Sequence, residues 1–258
     1  MWKRAYSEKS QQTKGLVLEM KINIYSPTYY RLENTVEFVA SLKESVARSR
    51  HDAKIFIADN NSPTEMKKYL MGQNDDNVEV HLFEKNYGKG HAINTLHNNV
   101  RKSELVLSID SDIICKDGAN WIDRMVSVLV DNSDIGIISA RFQEGVSHNY
   151  ALLKKRMTVR NSNLIYGSTQ IGGACIMLRS ETWDKARGYN APDIYAGDDG
   201  TLINHVYHRQ KKKVVVCTNI TLYHLDENDD KYRTWKINRM RNRKSHDKKP
   251  DSGYYENL

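Results

Sequence analysis

Leu105-Val106-Leu107-Ser108-Ile109 runs directly into Asp110-Ser111-Asp112 and on to Ile113-Ile114. An apolar run of this length, flanked by Ser103-Glu104, reads as a buried strand. Two carboxylates leave its carboxyl end one residue apart, and strand alternation predicts that both face the same side. Hard oxygen ligands suit Mg²⁺ or Mn²⁺, which share their coordination between one or two carboxylates and substrate phosphates. The pair is therefore a candidate for holding a divalent cation beside a charged sugar or phosphate. A solvated Asp-Ser-Asp turn that only ends a strand is the other reading, and the surrounding sequence has to decide.

Upstream, strands and helices alternate. Lys21-Ile22-Asn23-Ile24-Tyr25 reads as a first strand, broken by Pro27. Val36, Phe38, Val39, Leu42 and Val46 then recur at helical spacing. Ile55-Phe56-Ile57-Ala58 predicts a second strand ending in the turn-rich Asp59-Asn60-Asn61-Ser62-Pro63. Met66, Tyr69 and Leu70 suggest a short helix, Val78 to Phe83 a third strand, and Asn86-Tyr87-Gly88-Lys89-Gly90 the opening of a helix carrying Ile93 and Leu96. Trp121 to Val130 reads as a helix after the Asp-Ser-Asp segment. This alternation predicts an α/β fold with a mostly parallel, Rossmann-like sheet flanked by helices. Ligands of such sheets sit outside the carboxyl ends of the strands. Tyr29, Asp59, Lys89 and Asp112 all follow predicted strands, so they converge on one crevice.

Downstream, Ile135 to Arg141 and Gly172-Gly173-Ala174-Cys175-Ile176-Met177-Leu178 read as strands and Glu181 to Ala186 as a helix. Residues 143–168 are polar and basic, and no strand is assigned there; the expectation is a mobile acceptor-facing segment. Ile194 to Gly200 introduces a helix running through Val206. Val214-Val215-Val216 and Ile220 to His224 read as two closing strands.

The bulk numbers narrow the class. A chain of 258 residues can bury one full α/β core. Its mean hydropathy of −0.68 describes a polar protein, and no stretch approaches the about 20 apolar residues of a membrane span. The first twenty residues lack an apolar run, so no secretory signal is expected. Cys115, Cys175 and Cys217 have no metal-ligand spacing, which suggests reduced thiols and a cytoplasmic location. Residues 231–258 carry nine Lys or Arg against three acidic residues, whereas outside both ends 26 basic face 27 acidic residues. The pI of about 9.1 therefore belongs to the tail. A basic tail favours an anionic surface, nucleic acid or a membrane face, unless it is only a solvated end. The expected organisation is an N-terminal extension (1–20), one globular domain (21–225) and a basic, partly helical C-terminal tail (226–258).

In this order the motifs resemble the family 2 glycosyltransferases, which have the GT-A fold. Ser26-Pro27-Thr28-Tyr29-Tyr30-Arg31 resembles the family's Pro-Thr-Tyr-Asn-Arg segment, and Ile57-Ala58-Asp59-Asn60-Asn61-Ser62 its Val-Asp-Asn-x-Ser. Asn86-Tyr87-Gly88-Lys89-Gly90-His91-Ala92-Ile93-Asn94 is similar to Asn-x-Gly-x-x-x-Ala-x-Asn, Asp110-Ser111-Asp112 to Asp-x-Asp. Gly172-Gly173 and Asp198-Asp199 match the later Gly-Gly and Glu-Asp positions. Tyr30 stands where the family has Asn, and Asp198 where it has Glu. The Gln-x-x-Arg-Trp motif and membrane helices of processive relatives are missing, which argues against a polymer synthase.

The resemblance implies transfer of one sugar from a nucleoside-diphosphate sugar, with a UDP-sugar favoured, to a hydroxyl acceptor, with inversion and with Mn²⁺ or Mg²⁺ as cofactor. It places the donor against Pro27, Thr28, Tyr29, Arg31, Asp59, Asn86, Lys89, Asp110, Ser111 and Gly173. Asp59 would take a base N–H and Tyr29 would pack on base or ribose, although Asp59 is equally good chemistry for an Asx-turn. Lys89 would face the diphosphate, unless it is an ordinary surface lysine. Asp112 would bind the metal with His224, whose other reading is structural. Asp199 would be the general base, its neighbour Asp198 capping the helix or lying on the acceptor side. Trp183 and Tyr189 are further acceptor-side candidates, with core packing as the alternative for Trp183. The acceptor is expected to be a glycan or lipid-linked glycan at a cytoplasmic membrane face. A hydroxylated base in DNA is the alternative, and a non-catalytic nucleotide-sugar or nucleic-acid binding module the reading from another class. The presence of Asp110, Asp112 and Asp199 argues against the last. A nucleotidyltransferase would need a Gly-rich basic loop after strand one, which Ser26-Pro27-Thr28-Tyr29 does not supply.

Overall fold

A computed structural model describes residues 19–115, 120–143, 155–159, 162–167, 171–190, 198–225 and 234. Strand β1 (Lys21–Thr28) pairs in parallel with β2 (Asp52–Asp59) on one side and with β4 (Leu105–Ile109) on the other. Strand β3 (Val78–Leu82) adds in parallel to β2. Strand β9 (Cys175–Arg179) runs antiparallel between β4 and β6 (Ile135–Phe142), and β10 (Lys213–His224) lies parallel to β6. The sheet order is β3-β2-β1-β4-β9-β6-β10-β8-β7, with β5 (Ile113–Ile114) set apart against β10. Along that order only β9 and β8 oppose the rest, so the expected mostly parallel sheet is present.

Pro27 does not break β1, which continues to Thr28. The β1–β4 ladder ends at Tyr25↔Ser108, so Pro27 falls where one edge of the strand has no such ladder to lose. A hairpin of β7 (Lys155–Val159) and β8 (Ser162–Gly167) occupies the segment expected to lack strands. Pairing of β8 with β10 along Val214–Cys217 joins the hairpin to the sheet, a long-range contact that local sequence does not carry. The two closing strands are one, β10, with a register shift between Cys217 and Thr221.

Strand alternation divides the core between the two sheet faces. Ile22, Ile24, Ile55 and Ile57 pack with helices α1 (Leu32–Arg48) and α4 (Trp121–Asp131). Tyr25, Phe56 and Ala58 face the other way, with α3 (Lys89–Asn99), α5 (Ser180–Ala186) and α6 (Asp198–Asn204). Helix α1 buries Thr35, Phe38, Val39, Leu42, Ser45 and Val46, a stripe at i, i+3, i+4 and i+7. Val36, grouped with that face on sequence grounds, is exposed instead, at 39 %, because it lies roughly 100° from Thr35 around the helix. The short helix α2 (Thr64–Met71) covers β3 through Met66 and Leu70. No helix of the described residues is long and apolar enough to cross a membrane. The expectations for residues 1–18 and for the tail beyond Leu225, Thr234 apart, lie outside the described residues.

Candidate active site

Strand order reverses at β1, with β2 and β3 on one side and β4 on the other, and this opens a crevice at the carboxyl ends. Three loops meet there. Antiparallel pairing of Cys175 with Ile109 brings Gly172-Gly173-Ala174 beside the end of β4, where the Asp110 N–H donates to the Ala174 carbonyl at 2.8 Å. Pairing of His224 with Ile113 brings the end of β10 to the same place, and the Leu225 N–H donates to the Asp112 carbonyl at 2.9 Å.

Asp110-Ser111-Asp112 is a turn rather than a strand continuation, closed by the Ile113 N–H on the Asp110 carbonyl at 3.3 Å. The two carboxylates accordingly take different partners, which corrects the expectation from strand alternation. Asp110 Oδ1 lies 2.8 Å from Lys89 Nζ, and Asp199 Oδ1 lies 3.1 Å from the same ammonium. Lys89 Nζ also donates a hydrogen bond to the Gly173 carbonyl at 3.1 Å, so one ammonium is shared between two carboxylates and a backbone oxygen. Asp112 Oδ2 accepts from Arg31 Nη1 at 2.9 Å, while its Oδ1 lies 3.8 Å from His224 Nε2. Enclosure by protein raises the Asp110 carboxyl above the usual carboxylate range; Lys89 opposes this, and Asp112 and Asp199 add to it by repulsion.

Gly173 is required by packing. A Cβ there would stand 2.0 Å from Asp199 Cγ, so the missing side chain is the seat of the Asp199 carboxylate. Helix α6 supplies Asp199 from its first turn, and α3 supplies Lys89 as its first residue. Tyr30 and Arg31 both adopt left-handed backbone conformations (φ 55° and 56°), which turns the chain sharply after β1 and sets Arg31 against Asp112. That conformation costs a non-glycine residue about 1–2 kcal/mol. Asn, which stands at the Tyr30 position in the family resemblance, adopts it more readily than Tyr.

Residues expected to meet the base lie on and around the turn after β2. Asp59 is fully buried; its Oδ1 accepts from Thr28 Oγ1 at 3.2 Å and its Oδ2 from the Ser62 N–H at 2.9 Å. The carboxylate closes the turn after β2 through the N–H three residues on, one residue beyond the reach of an Asx-turn, and each oxygen keeps a second lone pair. Ser62 Oγ accepts from the Tyr30 N–H and Asn60 Oδ1 from the Tyr87 N–H, so aromatic residues flank the turn from two loops. Tyr29 packs edge-on against Tyr30, with centroids 4.6 Å apart. Asn86 accepts the Gly88 N–H at 2.8 Å and shapes the approach to α3. Pro27 and Ser111 border the crevice half-buried. Trp183 is 2 % exposed and packs on Tyr189 and His97, so it belongs to the core behind the site and does not line an open acceptor face. Asp198 begins α6. Tyr189, the other aromatic expected on the acceptor side, is likewise 2 % exposed; with Asn94 and Ser108, which sequence reasoning gave no role, it supports the site from below.

The donor set fits a divalent cation. Asp112 Oδ1 and His224 Nε2, 3.8 Å apart, are within the span of two ligands each about 2.1 Å from one Mg²⁺. Among the described residues no group of three or more His, Cys, Asp or Glu could hold a metal alone. The remaining ligands would come from water and donor phosphates, the usual arrangement for Mg²⁺.

Comparison with known proteins agrees with this fold. No curated protein matches the chain by sequence. PcManGT, a mannosyltransferase from Pyrobaculum calidifontis in complex with GDP-Man and Mn²⁺, superposes with a TM-score of 0.67 at 14 % identity, over 91 % of this chain and 66 % of that one. GalNAc-T7 with UDP, GalNAc and Mn²⁺ gives 0.59 at 12 % identity, over 80 % and 43 %. S. aureus TarS 1-349 gives 0.57 at 16 % identity, over 83 % and 63 %. The chain thus spans less than two thirds of each neighbour, and the likeness is one of fold, the GT-A fold. The sequence itself matches the model for Glycosyl transferase family 2 across residues 24–187, from the first strand past the Gly-Gly segment, and the chain belongs to that family.

Proposed function

We propose that the protein is a metal-dependent glycosyltransferase that moves one sugar from a nucleoside-diphosphate sugar, a UDP-sugar for preference, to a hydroxyl acceptor with inversion. The observation that carries this reading is the charge pattern of the crevice. Three carboxylates, Asp110, Asp112 and Asp199, face two cations, Lys89 and Arg31, so a divalent ion tips the balance to the positive sign that a diphosphate needs. The neighbours whose complexes contain Mn²⁺ and a nucleotide or nucleotide sugar support the same reading.

Asp112 and His224 would hold Mn²⁺ or Mg²⁺, which as a Lewis acid neutralises charge on the departing diphosphate. Arg31 turns from Asp112 toward the phosphates, and Lys89 faces them from its place between Asp110 and Asp199. Thr28, Tyr29 and the Asp59 turn receive the nucleoside, and Asp110 meets the ribose or sugar. Asp199 accepts the acceptor hydroxyl proton as that oxygen bonds to the anomeric carbon and the bond to the diphosphate oxygen breaks. The catalytic unit is residues 21–225. The acceptor is a glycan or lipid-linked glycan, reached from the cytoplasmic side, with the basic tail of residues 231–258 on an anionic surface.

A thermal-shift panel of UDP-, TDP-, GDP- and CMP-sugars, each with Mn²⁺, Mg²⁺ or EDTA, tests the donor half. A stabilisation by one nucleotide class that EDTA removes is expected; no shift with any donor favours the binding-module reading. Asp199→Ala should abolish transfer with donor affinity near wild type. Anomeric NMR of the product should show inversion, and a retained configuration would refute the single-base mechanism.

A further inference from the structure

The turn after α5 places an aromatic ring under the Lys89 ammonium and fixes it from every side. Arg187 and Gly188 are both left-handed (φ 60° and 66°), and their N–H groups cap α5 on the carbonyls of Asp184 and Trp183. Tyr189 follows. Its N–H donates to Asn94 Oδ1 at 3.0 Å, and its carbonyl accepts from Asn94 Nδ2 at 2.6 Å. Its hydroxyl donates to Ser108 Oγ at 2.9 Å, and its ring meets Trp183 at 77° with centroids 4.9 Å apart. Gly188 cannot be replaced cheaply, since a Cβ would stand 2.1 Å from Asn94 Oδ1. Above this tethered ring lies Lys89 Nζ, 5.5 Å from the centroid. Asn94 and Lys89 belong to the same helix, so the clamp and the ammonium share one rigid element.

We propose that Tyr189 is a positioning residue, whose ring face, locked by the Asn94 clamp, holds the Lys89 ammonium where it meets Asp110, Asp199 and the Gly173 carbonyl. The ties at both backbone groups and the hydroxyl leave the ring one orientation, with its face beneath the ammonium. A cation over an aromatic face within about 6 Å is attracted by the ring quadrupole, the more so when partly desolvated. Asp110 and Asp199 carry opposite assignments, donor contact and proton acceptance, and one ammonium spaces them. The ring beneath it therefore sets the separation of the two groups. The consequence for donor affinity rests on the proposed donor site; the support of Lys89 does not.

The test has two arms. In the first, the metal-free, ligand-free protein is labelled competitively with acetic anhydride and Lys89 is followed by mass spectrometry. Tyr189→Leu removes the ring face and should speed Lys89 acetylation about fivefold, the equivalent of one such contact. Tyr189→Phe keeps the face and should label as wild type does. Tyr189→Met repeats the first measurement if the leucine variant does not fold. Unchanged labelling in a folded leucine or methionine variant would overturn the proposal, as would a phenylalanine variant as fast as leucine. In the second arm, UDP and GDP binding with Mn²⁺ is measured for Tyr189→Leu, Lys89→Ala and the double variant. The tyrosine effect should vanish in the Lys89→Ala background; additive losses would overturn action through Lys89. If wild type binds neither nucleotide, the proposed donor site is at fault and the labelling arm decides alone.

Discussion

Alanine at Gly173 probes Asp199 through its neighbour and leaves the acid chemically intact. The added Cβ would lie 2.0, 2.1 and 2.4 Å from Asp199 Cγ, Oδ1 and Oδ2, where ordinary contact begins at 3.4 Å. The carboxylate must therefore retreat by about 1.4 Å along the Cβ–Cγ line, far enough to break its 3.1 Å contact with Lys89. The retreat is cheap for the fold, because Asp199 is at the end of a short side chain and Gly173 is not among the described left-handed residues. An off-rotamer aspartate costs about 0.5–1.5 kcal/mol. The cost to catalysis is larger: misplacing a reacting group by about 1 Å costs on the order of 100-fold in rate, or about 2.7 kcal/mol of barrier. Gly173→Ala should then unfold within a few degrees of wild type and bind nucleoside diphosphate with Mn²⁺ nearly as well, yet consume donor at about one hundredth of the rate. Turnover within about threefold of wild type would refute the placement of Asp199 at the reacting centre.

Two further predictions concern stability. Arg187 is exposed and left-handed, a conformation that Asn adopts more readily. Arg187→Asn should stabilise the protein by about 0.5–1 kcal/mol, raising Tm by roughly 2–4 °C per kcal/mol in calorimetry, and a lower Tm would contradict the strain argument. His51 is buried against Asp123, and burial lowers its pKa below 6.5 despite the pull of that carboxylate. With the folded value depressed, the unfolded chain binds the extra proton first as pH drops below 6.5, so stability falls there. Urea midpoints measured from pH 7.5 down to pH 5 should show that decline. A His51→Gln variant should flatten it, whereas an equal slope would assign the decline to other groups.

The parallel half of the sheet was legible because its strands are runs of aliphatic residues closed by turn chemistry, as at Ile57-Ala58-Asp59 and Leu107-Ser108-Ile109. The β7–β8 hairpin was not, since Lys155-Arg156-Met157-Thr158-Val159 mixes polar and apolar residues at the sheet edge and its partner β8 depends on β10. Position on the sheet, which local pattern does not carry, decided it. The same limit applies inside the site. Gly173 and Asp199 are both conspicuous in the sequence, yet nothing local says that one is the space for the other. Asp110 and Asp112 follow a readable strand, but the turn that separates their partners depends on Ala174 and Leu225, brought in by β9 and β10. Tyr189 reads in sequence as an acceptor-facing aromatic until its ties to Asn94 and Ser108 are seen.

Calorimetric titration of wild type and Asp112→Asn with UDP and GDP, with Mn²⁺ and with EDTA, tests the central claim most directly. The account predicts that one nucleotide binds wild type only when Mn²⁺ is present, and that the asparagine variant loses this metal-dependent binding by at least about tenfold while remaining folded. Nucleotide binding that is equally tight in EDTA, or undiminished in Asp112→Asn, would contradict a metal-centred donor site at Asp112 and His224.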